Sequence, residues 1–184
     1  MEVPLSGLVV LVGAAGSGKS TLAARLFAAS EVLSSDALRA AVSGDATDQR
    51  ATRAAFRILH AEAQRRLAAG RLVVVDATSV ERSARMALLR IAARAGVPAT
   101  AIVLLVPAGD VHARNAARTG RIVPAPIVDR HLVALARLGA DRTAIAAALT
   151  AEGFSRIHVL VGPDRPGPGR SGRASSHGAP ISRR

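Results

Sequence analysis

The chain has 184 residues, a formal net charge of +12 and no cysteine, a length that suits one domain with its own core. The missing cysteines exclude disulfides and thiolate metal sites and fit a reducing compartment. No apolar run approaches the roughly 18 residues of a membrane helix, and the first residues lack a leader pattern, so a cytoplasmic protein is expected.

In chain order, the apolar run 8–12 (Leu-Val-Val-Leu-Val) predicts one buried strand. It leads into Gly13, Ala14, Ala15, Gly16, Ser17, Gly18, Lys19 and Ser20, followed by Thr21 and a helical pattern over 21–29. This is G-x-x-x-x-G-K-[ST], the phosphate-binding loop, in the strand–turn–helix context that the motif needs. The glycines let backbone N–H groups turn inward onto a phosphate, and the helix N-terminus adds positive charge there. Lys19 is expected to reach the β- and γ-phosphates of ATP, and the Ser20 hydroxyl to sit on Mg²⁺. The chain holds 24 arginines and a single lysine, Lys19. An ammonium has been kept at the one place where a point charge suits phosphate better than a planar fork.

The pattern then alternates. A short strand at 32–33 runs into Ser34-Ser35-Asp36, with a helix from about 36 to 42. A loop over 44–48 follows, with Asp48 as a cap, and then a long helix to 69 that carries Phe56, Leu59, Ala63 and Leu67 on one face. A third strand over 72–75 closes on Asp76. Next come a helix over 80–95, a strand over 100–106, a helix that Asp110 caps, and a loop over 120–124. Two further helices and a fifth strand over 154–161 complete residues 1–162. All five strands read as apolar runs, as in a parallel sheet covered on both faces. The expected fold is therefore α/β, a P-loop kinase fold with a five-stranded parallel sheet. Residues 163–184 are rich in Pro, Gly, Ser and Arg and read as a disordered basic tail.

Absent features narrow the P-loop class. A GTPase reads guanine with Asn-Lys-x-Asp, which a chain whose only lysine is Lys19 does not contain. AAA-type ATPases usually follow the Walker B aspartate with glutamate, whereas Ala77 follows Asp76 here. A small kinase needs a base near the γ-phosphate and arginines over the phosphates. Asp36, at the carboxyl end of the second strand, suits a base, and Arg39, one helical turn on, shares its cleft. Arg114 and Arg118, four apart on a helix, and Arg121 beyond them suit a polyphosphate. Asp76 is the candidate for Mg²⁺ through water. The three phenylalanines, Phe27, Phe56 and Phe154, fall on core-like faces.

On these residues the chain resembles the kinase domain of bacterial polynucleotide 5′-kinase/3′-phosphatase RNA-repair enzymes. The resemblance rests on Gly16-Ser17-Gly18-Lys19-Ser20-Thr21, on Ser34-Ser35-Asp36 with Arg39, and on Asp48-Gln49. It extends to Val74-Val75-Asp76-Ala77-Thr78 and to the run Arg114-Asn115 through Arg118 and Arg121 to Val123. It implies transfer of the ATP γ-phosphate to a 5′-hydroxyl end of RNA or DNA. It also implies Asp36 as general base, Arg39 and Gln49 on the acceptor, and Arg118, Arg121 and Arg114 over the donor phosphates. Ala37 and Leu38 depart from the family, which has a bulkier aromatic beside the base. Two rivals stand beside this reading: a kinase of a small hydroxylated metabolite or antibiotic, and a non-catalytic ATP-binding module.

Overall fold

Strand Leu8–Val12, labelled β1, is buried along its whole length because sheet neighbours flank it and helices cover both of its faces. The computed structural model describes residues 2–3, 6–43, 51–119, 122–162 and 182–183. After β1 come α1 (Lys19–Leu26), a 3₁₀ turn (Ala29–Glu31), β2 (Val32–Ser34), α2 (Ser35–Ser43) and α3 (Thr52–Ala68). Then follow β3 (Val73–Asp76), α4 (Arg82–Arg94), β4 (Ala99–Leu105), α5 (Ala108–Ala116), α6 (Ala125–Ala136), α7 (Arg142–Glu152) and β5 (Arg156–Val161). A separate pair of two-residue strands joins Glu2–Val3 to Ser182–Arg183 in parallel. Asp48, Gln49, Arg121 and residues 163–181 of the tail lie outside the described residues.

The five strands run parallel in the order β2-β3-β1-β4-β5. Leu8 aligns with Val73 on one side and with Ala99 on the other. The chain leaves β1 toward the β2 edge and leaves β4 toward the β5 edge. The carboxyl ends of β1 and β4 thus flank a topological switch point, where α/β sheets open a crevice for ligands. The phosphate loop occupies it.

Alternate residues of each strand feed two cores. Val10, Val75, Ala101 and Val103 pack with Leu59, Leu88, Leu135 and Leu149 from α3, α4, α6 and α7. Val9, Leu11, Val74 and Ile102 pack with Ala23, Leu26 and Phe27, from α1 and its end. A third cluster holds Ala14 and Ala15 of the loop against Val111, Val123 and Val128.

Three expectations need correction. β5 is an edge strand whose ends are exposed and whose interior is only partly buried, and β2 at the other edge buries only Leu33, so the three inner strands alone are covered on both faces. Asp110 lies in the first turn of α5 rather than at its cap. Pro107 holds the extended N-cap position and the helix starts one residue later. Arg114 and Arg118 do not share a helix, because α5 ends at Ala116 and Arg118 belongs to the loop beyond its C-cap.

Candidate active site

The loop after β1 closes on itself and on its neighbours. Gly13 N–H donates to the Thr78 carbonyl at 3.1 Å and Ser17 N–H to Ala14 at 3.1 Å. Gly16 and Gly18 both have positive φ, for different reasons. A Cβ on Gly16 would meet the Val111 carbonyl at 2.5 Å, so glycine lets the loop lie against α5. Gly18 faces open space. It supplies the left-handed turn that hands the chain to α1. Ala15, Gly16, Gly18, Lys19, Ser20 and Thr21 line a cleft of about 690 Å³. Gly13, Ala14 and Ser17 are buried beneath them.

Lys19 is only 8% exposed. Its ammonium donates to the carbonyls of Gly13 (2.9 Å) and Ala14 (2.8 Å). Burial pushes its pKa down to about 8; Asp76 pulls it up and Arg118 pushes it further down. Both lie close enough to be felt, and both line the same cleft. Asp76 ends β3 and is 8% exposed.

Across the cleft, Ser34 accepts from Ala37 N–H at 3.4 Å and so occupies the capping position of α2. Asp36 is therefore inside the first turn and its carboxylate is not engaged as the cap. It pairs with Arg39, three residues on. Arg39 is 7% exposed while the Asp36 side chain is 42% exposed. The guanidinium is thus the buried partner and the carboxylate faces the opening.

Asn115 ties the end of α5 to Val123, which leads into α6. The buried side-chain amide donates to the Val123 carbonyl at 2.8 Å and accepts from Val123 N–H at 3.1 Å. The same residue lies 3.1 Å from where a Cβ on Gly16 would sit, so it also packs against the phosphate loop. Arg114 and Arg118 both reach the cleft wall. His112 pairs with Asp129 at 2.8 Å and ties α5 to α6.

Sequence reasoning missed several wall residues. Phe56 is only partly buried and packs against the edge of the core, while Ala55, Leu59, Ala63 and Leu67 make the buried seam of α3. Phe56 and His60, each one position past a seam residue, line the cleft with Thr52. The strict four-residue spacing of the seam was the available signal. Arg130 and Glu81 also line the cleft. Beneath its wall, Ser79 adopts φ 46°, the only non-glycine positive φ among the described residues. Arg85, 2% exposed, donates to the carbonyls of Ser79 (3.1 Å) and Val80 (2.5 Å). It also grips Glu152 with two bonds of 2.7 Å. That pair spans 67 residues of sequence, and no local pattern announces it.

Residues 8–152 match the model of a family described as an AAA domain. The chain belongs to this family. Its AAA-domain membership stands although Ala77, not glutamate, follows Asp76, so the residue test above separates the chain from AAA-type ATPases only at that position. No curated protein matches the chain by sequence. Among solved structures, a sugar kinase from Janibacter sp. HTCC2649 is 23% identical, with 85% of each chain covered and a TM-score of 0.56. A chain of the Pnkp1/Rnl/Hen1 RNA repair complex is 19% identical over 72% of this AAA-domain chain and 45% of that one, with a TM-score of 0.61. The AvrRxo1-ORF1:AvrRxo1-ORF2 complex with ATP gives 14% identity over 85% of this chain and 54% of that one, with a TM-score of 0.65. This chain therefore spans about half of the latter two. The fold is that of P-loop kinases.

Proposed function

We propose that the chain is an ATP-dependent kinase that phosphorylates the 5′-hydroxyl end of RNA or DNA. The observation that carries this reading is the Asp36–Arg39 pair in one cleft with Lys19 and Ser20. A binding module needs only the loop. The pair adds a carboxylate that no donor-site task explains. A nucleic-acid acceptor is supported by the net charge of +12, by the paired motifs around Asp36 and Arg118, and by a fold shared with a chain of an RNA repair complex.

In this mechanism the acceptor hydroxyl gives its proton to the Asp36 carboxylate as its oxygen attacks the γ-phosphorus. A new P–O bond forms in line with the bond to ADP, which breaks, and ADP leaves with that electron pair. Arg39 orients Asp36 and stands beside an acceptor phosphate, a role it shares with Gln49. Lys19, Arg118 and Arg121 bear on the oxygens where charge spreads, and Arg114 supports them. The loop residues 13–21 hold the ATP phosphates. Mg²⁺ fits the oxygen donors present. The Ser20 hydroxyl and, through water, the Asp76 carboxylate would hold it, a sparse set that suits an ion keeping most of its waters. It would neutralise phosphate charge.

One assay tests the reading: labelled ATP offered to a 5′-hydroxyl oligonucleotide, to gluconate and to no acceptor. Label on the oligonucleotide 5′ end is the expected result. Label on gluconate alone, or on neither, overturns it. The sugar kinase that matches this chain over 85% of both lengths favours the small-metabolite kinase as the second reading.

A further inference from the structure

The cleft extends past Asp36 and Arg39 along α3, which packs against α2 on one side and α4 on the other. Its wall there carries the one phenylalanine that lines the cleft. Phe56 and His60, one turn apart, stand with ring centroids 6.1 Å apart and planes tilted by 59°. Val80, Ala84 and Leu88 line the same cleft. The other two phenylalanines are sealed in the core, at 6% and 2% exposure, whereas Phe56 is half-buried. Burial holds His60 below the usual imidazole pKa, so the ring is neutral at pH 7 and keeps an aromatic face.

An open-chain polyol would need a hydrogen-bonding group for most of its hydroxyls. Apart from Thr52 and Glu81 beside it, this stretch presents carbon and one imidazole. A flat heteroaromatic ring needs little more than two apolar faces and a rim. We propose that this wall, Phe56 and His60 with Val80, Ala84 and Leu88, seats the terminal base of the acceptor nucleotide. The proposal rests on the 5′-kinase reading and adds to it a nucleobase requirement.

The chain has no tryptophan or tyrosine, so Phe56→Trp creates a single reporter. With a non-hydrolysable ATP analogue saturating the donor site, titration with uridine 3′-phosphate should give a saturable change in its emission. An oligonucleotide whose 5′-terminal residue is abasic, and gluconate, should give none. For the wild type, the abasic acceptor should have a KM about 5- to 150-fold higher than its base-carrying counterpart, the span of base–aromatic stacking. Phe56→Ala should bring the two acceptors together, and His60→Phe should hold them apart where His60→Ala does not. Equal efficiency of the wild type on both acceptors would overturn the base seat and leave the kinase reading intact. No transfer to any nucleic-acid acceptor would overturn the kinase reading, and the seat with it.

Discussion

Of the three cations buried at or near the cleft, Arg39 pairs with Asp36, and the other two, Lys19 in the phosphate loop and Arg85 under the wall, are treated differently. Arg85 has a carboxylate of its own, the bidentate Glu152, and two carbonyls besides. Among the described residues Lys19 donates only to the carbonyls of Gly13 and Ala14, with Asp76 felt at longer range. A buried charge with a full complement of partners holds structure together. A buried charge held only by backbone oxygens is kept ready for an anion from outside. Arg85 uses its complement to hold Ser79 in a left-handed conformation that side chains seldom adopt, and so shapes the wall from behind.

The contrast breaks most visibly at Lys19. Lys19→Ala should abolish transfer to every acceptor, and Lys19→Arg should fail with it, because a planar fork cannot take the ammonium's place between the loop carbonyls and a phosphate. Steady-state phosphotransfer with any active acceptor measures this. Near-normal rates in the arginine variant would erase the distinction. At Arg85 the damage should fall on stability instead. Arg85→Ala leaves the Glu152 carboxylate, 8% exposed, to the longer 3.7 Å contact with Arg82 and leaves two carbonyls without their donor. The expected loss is about 3–5 kcal/mol, seen as a fall of roughly 6–20 °C in melting temperature. Replacing both partners, Arg85→Met with Glu152→Met, should recover much of it. A single variant that melts with the wild type would return Arg85 to a minor role.

The smallest effect sharpens the comparison through pH. Lys19 has a folded pKa of about 8, below the ordinary 10.5. Between those values the unfolded chain binds more protons, so folding stability should rise with pH through that window. Phosphate beside Lys19 favours the charged form, so nucleotide binding should take up a proton above pH 8. ATP affinity should then be about tenfold weaker at pH 9 than at pH 7. Calorimetry in two buffers of different ionisation enthalpy reads the uptake, close to one proton at pH 9. No uptake there would mean that Lys19 is not buried as described.

Much of the fold could be read in the sequence because its signals are local. The run from Leu8 to Ser20 specifies strand, loop and helix within thirteen consecutive residues, and glycines close several of the helices that follow. Errors arose where a distant partner decides. Arg118 sits four residues after Arg114, but the chain turns at Ala117 so that Asn115 can clamp Val123. Phe56 reads as core and does pack against it, but it also lines the cleft, which tertiary structure alone reveals. Arg85 and Glu152 meet only through tertiary structure, 67 residues apart.

The central claim is that Asp36 serves the acceptor and not ATP. Its most direct test is Asp36→Asn, with ATP affinity measured by calorimetry and γ-phosphate transfer to a 5′-hydroxyl oligonucleotide measured under saturating ATP. The amide matches the carboxylate in size but cannot take the proton. The account predicts unchanged ATP affinity and transfer slowed by about 10²- to 10⁴-fold. Undiminished transfer, or a loss of ATP affinity that accounts for the whole defect, would contradict it.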